Sequence, residues 1–135
     1  MKAQPQFENV LLVDDDEISC IVSTAILKGA KIGSQIQSVY NGNQALDFLT
    51  KQCLESKERN FCPALLFLDL NMPVMDGFEF LEAFTHHEKL KELDLSIVVL
   101  TSSAYSKDME KAYRYPIAGF ITKPITPEKL QSIFK

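Results

Sequence analysis

Ala64-Leu65-Leu66-Phe67-Leu68-Asp69 decides the fold: five apolar residues in a row, closed by a carboxylate. A strand that is apolar at every position has no solvated face, so it belongs in the middle of a parallel sheet covered on both sides. The residues around it repeat the theme. Val10-Leu11-Leu12-Val13 is a short β-prone run ending in acids, and Ser96-Ile97-Val98-Val99-Leu100 is a second buried strand. Ile36 to Tyr40 reads as a weaker strand closed by Asn41-Gly42, and Gly119-Phe120-Ile121-Thr122 as a fifth.

Amphipathic stretches separate these runs. Ile18, Ile21, Val22, Ala25 and Ile26 recur at helical spacing, as do Ala45, Leu46, Phe48 and Leu49, with Lys51 to Asn60 as a polar extension and loop. Asp76-Gly77 opens a helix carrying Phe78, Leu81 and Phe84, and Ser106 to Tyr113 forms a short one. Thr126 as N-cap, with Pro127 at the first helical position, starts the last. Five strands alternating with five helices predict an α/β doubly wound five-stranded parallel sheet with helices on both faces.

The bulk properties agree with one soluble domain. The chain has 135 residues, 46% hydrophobic and 24% charged, enough for a single core and too few for two ordinary domains. A net charge of -4 with interspersed signs leaves no nucleic-acid footprint. Cys20, Cys53 and Cys62 are odd in number and share no metal-ligand spacing, so a reduced, cytoplasmic chain without disulfide or zinc is expected. Met1 to Gln6 offers no apolar h-region and no apolar run approaches membrane-spanning length, so neither secretion nor membrane insertion is expected.

Ligands of such sheets bind beyond the carboxyl ends of the strands. There the sequence delivers Asp14-Asp15-Asp16, Asp69, Thr101-Ser102-Ser103 and Lys123-Pro124. Two like charges ~4 Å apart at an effective dielectric near 20 repel by ~4 kcal/mol. A hard divalent cation relieves that repulsion, and Mg²⁺ is bound in this way through a few carboxylates with waters and phosphate oxygens. A carboxylate such as Asp69 can act as nucleophile and form an aspartyl-phosphate. Lys123 offers a point charge and Thr101 a hydroxyl to the transferring group. No glycine-rich phosphate loop supports nucleotide binding. Asp16 reads mainly as a helix cap.

Asp14-Asp15 after a strand, Leu68-Asp69-Leu70-Asn71-Met72-Pro73-Val74-Met75-Asp76-Gly77, Leu100-Thr101-Ser102 and Thr122-Lys123-Pro124 resemble, in order, the motifs of the response-regulator receiver family. The resemblance runs from about Glu8 to the C-terminus. It implies a flavodoxin-like receiver fold and a regulatory phosphoacceptor domain rather than an enzyme. Asp69 would be the phosphoacceptor. Asp15 would bind Mg²⁺ (or Mn²⁺) directly together with Asp69, Asp14 through water, and Asn71 through its backbone carbonyl. Lys123 would contact the acidic cluster and then the phosphoryl group, with a cis bond to Pro124. Thr101 would be the switch hydroxyl and Phe120 the switch aromatic, acting on the face of the fourth helix, fifth strand and last helix.

The implied partners are a sensor histidine kinase or a histidine phosphotransfer protein. Residues 1–135 are expected to form a single receiver domain with no output domain, so signal would leave by docking to a separate protein. Ser103 and Asn71 lie where the family tunes phosphoryl lifetime, and Lys51 to Pro63 is longer than in compact receivers. Two other readings stand beside this one. A haloacid-dehalogenase-like phosphatase would need Asp-x-Asp-x-Thr/Val, which Glu17-Ile18 breaks. A receiver-like interaction module would never be phosphorylated. His86 and His87 read as solvated, Met72 and Met75 as loop packing, and Tyr105, Met109 and Tyr113 as either partner surface or helix interior.

Overall fold

In the computed structural model, residues 7–57, 61–72, 74–102 and 106–134 are described. Strands β1 (Phe7–Val13), β2 (Gly33–Val39), β3 (Leu65–Asp69), β4 (Ser96–Thr101) and β5 (Gly119–Thr122) form one sheet. Its order is β2-β1-β3-β4-β5, and every pairing is parallel. The helices are α1 (Glu17–Gly29), α2 (Gly42–Leu49), α3 (Gly77–His86), α4 (Ser106–Ala112) and α5 (Pro127–Ile133). The expected architecture is therefore the observed one. None of the helices is long and apolar enough to cross a membrane.

β3 is buried at all five positions because β1 and β4 flank it and helices cover both faces. Strand alternation sorts the core into two layers. Leu11, Val13, Leu66, Leu68, Ile97 and Val99 face one side, with Ala45 and Leu49 of α2, Phe80 and Phe84 of α3, and Ala112 of α4. Val10, Leu12, Leu65, Phe67, Val98 and Leu100 face the other, with Leu27 of α1 and Leu130 of α5. A five-residue strand thus feeds two hydrophobic layers, each burial contributing roughly 25 cal/mol per Å² of apolar surface.

Helix starts follow the local chemistry. Asp76 accepts from the Glu79 N–H at 2.9 Å while Glu79 accepts from the Asp76 N–H, closing a capping box at α3. Asp16 caps α1 by accepting from the Ile18 N–H, and Thr126 caps α5 before Pro127. Asn41, a turn signal in sequence, is the N-cap of α2 and accepts from the Gln44 N–H. β2 begins at Gly33, earlier than its polar sequence indicates, because backbone pairing with β1 extends it.

Two expectations change. The apolar stripe of α1 forms the helix, but most of it turns to solvent: Ile18 is 72% exposed, Ile21 64% and Val22 48%, while Ile26 packs against the core. The sheet-facing side is Cys20, Ser23 and Leu27 instead. Helical period places residues on a common face without saying which of two faces packs inward. The second correction concerns the cysteines. Cys53 and Cys62 are joined in a disulfide, their Cα atoms 4.9 Å apart, and only Cys20 is free among the described residues. After α2 the chain continues as a π-helical turn over Thr50–Glu55, which carries Cys53 into the core. The chain entering β3 returns Cys62 beside it, a proximity that a sequence separation of nine does not specify.

Candidate functional site at the carboxyl edge of the sheet

The end of β1, the end of β3 and the turn after β5 converge because these strands are parallel and in register. Val13 pairs with Leu68, so Asp14 and Asp69 stand side by side one residue further on. Asp69 pairs with Leu100 and Thr101 with Thr122, which sets Thr101 and Lys123 along the same edge. The Lys123 N–H donates to the Thr101 carbonyl at 2.7 Å, holding the β5 end to β4. The Lys123–Pro124 bond is cis, as the resemblance implies.

Asp14, Asp69 and Thr101 are buried, whereas Asp15 and Asn71 are exposed. Carboxylate oxygens of Asp14, Asp15 and Asp69 all lie within 4.8 Å of one another. Three oxygen donors at that spacing suit a hard divalent cation. Lys123 Nζ reaches into the same cluster, 2.8 Å from Asp14 Oδ2 and 3.3 Å from Asp69 Oδ2.

The two buried carboxylates differ in their support. Burial disfavours the charge on Asp14, but donors from Lys123, the Asp16 N–H and the Ser19 hydroxyl outweigh it and hold the carboxyl below the ordinary range. Burial dominates at Asp69, and the Lys123 charge with the Asn71 N–H at 3.1 Å offsets it only partly. Asp14 adds repulsion, so the Asp69 carboxyl sits above the ordinary range. Burial opposes the charge on Lys123, yet the two carboxylates more than compensate and raise its pKa.

The loop after Asp69 is held by backbone approach. A Cβ on Gly77 would stand 2.7 Å from the Asp69 carbonyl oxygen and 2.8 Å from Leu70 Cα, and the Gly77 N–H donates to the Leu70 carbonyl. Glycine is needed there because α3 starts against the backbone of the β3 end. Val74, in the same loop, has φ 70. Met72 is buried and Met75 packs against the core, in line with a loop-packing role. The Gly42 N–H donates to the Met75 carbonyl, fastening α2 to this loop.

Phe120 is half-buried on β5, paired in register with Val99. Its ring stacks on Tyr113 with centroids 6.5 Å apart. Met109 and Tyr113 are exposed on and just after α4, so neither is helix interior; Tyr105, Ser103 and Pro73 lie outside the described residues. His86 is solvated, while His87 Nδ1 accepts from the N–H groups of Lys89 and Leu90.

Ser19 and Lys129 belong to the site's support and were not singled out in sequence. Ser19 donates to Asp14 Oδ2 at 2.8 Å, and its signal was a polar residue one turn into α1. Lys129 donates to the carbonyls of Thr122 and Pro124, on either side of Lys123. A lysine in the first turn of a helix carries no such signal.

The family model of the response regulator receiver domain matches residues 10–135. The chain is 30% identical over 126 residues to Response regulator Rcp1 of Synechocystis, covering 93% of this chain and 81% of that protein. It is 29% identical over 127 residues to Hybrid signal transduction histidine kinase L of Dictyostelium discoideum, spanning 93% of this chain but 7% of the kinase. A two-component response regulator from Cytophaga hutchinsonii superposes with a TM-score of 0.82 at 27% identity, over 96% of this chain and 95% of that one. The receiver domain of the Arabidopsis thaliana histidine kinase CKI1, solved with Mg²⁺, superposes at 0.74 with 25% identity, over 89% of this chain and 88% of that one. Strand order, acidic cluster, strand-end lysine and family match agree: this chain belongs to the response regulator receiver family, a regulatory domain of two-component signalling.

Proposed function

We propose that Asp69 accepts a phosphoryl group from a phosphohistidine on a sensor histidine kinase or a histidine phosphotransfer protein, in a reaction that requires Mg²⁺ or Mn²⁺. The observation that carries this reading is the convergence of Asp14, Asp15 and Asp69 within 4.8 Å, with Lys123 Nζ 3.3 Å from Asp69 Oδ2. Asp15 and Asp69 would hold the metal directly, Asp14 through water, and Asn71 through its backbone carbonyl. When bound, the metal neutralises charge on the transferring phosphoryl oxygens.

A carboxylate oxygen of Asp69 attacks phosphorus, the P–N bond breaks, and its electron pair stays on the ring nitrogen; with the other ring nitrogen of the phosphohistidine protonated, the donor leaves as a neutral histidine. Lys123 is placed to move from its carboxylate partners to a phosphoryl oxygen, since an ammonium is a mobile point charge. Thr101 supplies the hydroxyl that answers the new anion. Phe120 follows, its half-buried ring turning further inward from its stacking on exposed Tyr113. The face of α4, β5 and α5 is then the surface that a separate target reads, because a switch needs contacts that differ between two states.

A protein donor fits the surroundings of the site. Ile18 and Val22, exposed on α1, line with Ser19, Lys123, Pro124 and Ile125 a cleft of about 340 Å³ that opens beside the acidic cluster. Apolar side chains in solvent next to a reactive carboxylate suit a helical donor module that must deliver phosphohistidine to it. The proposed compartment is the cytoplasm.

The experiment is labelling with acetyl phosphate, with and without Mg²⁺, followed by mass mapping. One phosphoryl group on Asp69, dependent on the metal and absent in Asp69→Asn, is the expected result. Catalytic turnover of a generic phosphoester would instead identify a phosphatase. Absence of labelling in the metal-loaded wild-type chain, from acetyl phosphate and from a phosphohistidine donor alike, would leave an unphosphorylated interaction module.

A further inference from the structure

We propose that Cys53 and Cys62 form a reversible thiol–disulfide modification site that fastens the π-helical end of α2 to the entrance of β3. The bridge joins two different environments. Cys53 is fully buried among the residues packed under α2 and α3, whereas Cys62 is half-buried and follows Phe61, which is 44% exposed. Exchange requires access to only one sulfur of a disulfide. Cys62 Sγ is the one that an external thiolate can approach.

The partner is a dithiol. One thiolate attacks Cys62 Sγ, a mixed disulfide forms, and the Cys53–Cys62 bond breaks. The electron pair passes to Cys53 Sγ, which takes up a proton and remains as a buried thiol. The second thiol of the reductant, as thiolate, attacks its own mixed sulfur and releases Cys62 as a thiolate that is then protonated. The protein gains two thiols and the reductant becomes a disulfide. In compartments kept reduced by thiol pools, disulfides that do form are mostly transient and redox-sensing.

The location gives exchange a structural consequence. Thr50–Glu55 is a π-helical turn, a wide and weakly supported geometry often found at functional sites. The bridge ties this turn to the residue two positions before Ala64. The start of β3 does not depend on it, since the Ala64 N–H donates to the Asn9 carbonyl and the Ala64 carbonyl accepts from the Ser96 N–H. Reduction therefore loosens the end of α2 while β3, and Asp69 at its far end, stay in register. The site and its consequence do not rest on phosphorylation of Asp69.

The test uses the native chain purified without reductant. Samples are incubated with graded dithiothreitol, quenched with acid, and alkylated after denaturation. The expected count rises from one alkylated cysteine, Cys20, to all three of the chain, and oxidised glutathione returns it to one. The melting temperature should fall on the order of 10 °C on reduction, as expected for releasing a short closed loop. Amide exchange should quicken across Thr50–Glu55 and stay slow across Leu65–Asp69. Cys62→Ser should melt like the reduced wild type and be indifferent to dithiothreitol. Three reactive cysteines in the untreated protein, or a bridge that yields only in denaturant, would overturn the proposal. So would reduction that leaves melting and exchange unchanged. The wild-type measurements decide the question even if Cys62→Ser does not accumulate.

Discussion

Lys123 Nζ lies 2.8 Å from Asp14 Oδ2, closer than to Asp69, so the strand-end ammonium is chiefly the counter-ion of the carboxylate that follows β1. Removing it leaves two buried carboxylates without their shared counter-charge, supported only by neutral donors. In metal-free buffer Lys123→Met should destabilise the fold by about 2 kcal/mol, below the 3–5 typical of a fully buried pair because the lysine is partly solvated. Saturating Mg²⁺ should recover most of that loss, and its affinity for the variant should rise about tenfold, equivalent to ~1.4 kcal/mol. Urea unfolding in chelator and in Mg²⁺ checks both. Equal destabilisation in the two buffers would mean that the ammonium and the cation do not share the site.

Gly77 is the point where α3 touches the backbone of β3. Ala at this position puts its Cβ 2.7 Å from the Asp69 carbonyl oxygen, and backbone rather than a flexible side chain must move. Gly77→Ala should cost about 2 kcal/mol, within the range for overpacking. Acetyl phosphate labelling of Asp69 should slow as well. The denaturation midpoint and the labelling rate are the measurements, and loss of stability with an unchanged rate would separate the loop from the chemistry.

Val74 occupies the left-handed region at φ 70 while 76% exposed. A β-branched residue is strained there by roughly 1–2 kcal/mol, and glycine is not, though it costs roughly 0.5–1 kcal/mol in chain entropy. Val74→Gly should therefore stabilise the protein by about 0.5–1 kcal/mol. Unfolding in urea, with Val74→Ala as the comparison, tests this; a destabilised glycine variant would contradict it.

Tyr115 donates to Glu82 Oε2 at 2.8 Å, linking the segment after α4 to α3. The hydrogen bond to Glu82, with small contributions from burial and from the carboxylate charge, raises the phenol above its ordinary value of 10.0. A raised folded-state pKa means that this contact contributes below pH 10 and is lost as pH rises through the folded value. Glu82→Gln should bring the Tyr115 titration down, visible in tyrosinate absorbance against a Tyr115→Phe control. A titration that Glu82→Gln does not move would remove the contact as its cause.

The alternation of buried strands and helices was legible because parallel strands covered on both faces need unbroken apolar runs, and Leu65 to Leu68 is such a run. Helix starts were legible for a similar local reason: Asp16, Asp76 and Thr126 satisfy backbone donors within three residues of themselves. The candidate site was legible one residue type at a time, as acids, a hydroxyl and a lysine following separate strands. Their order matched a family pattern, so the cluster of Asp14, Asp15 and Asp69 could be anticipated. Its internal balance could not. That Asp14 gathers Ser19, the Asp16 N–H and Lys123, while Asp69 receives weaker support, depends on distances between β1, β3 and β5.

The sequence by itself determined the five-stranded doubly wound sheet and the edge at which Asp69 and its companions gather, since periodicity and capping act within a few residues. Only the tertiary structure decided which face of α1 meets solvent, that Cys53 meets Cys62, and that Lys123 sits closer to Asp14 than to Asp69. The physical reason is common to all three. Each depends on how elements distant in sequence are rotated and spaced against one another, and packing across the sheet sets those rotations.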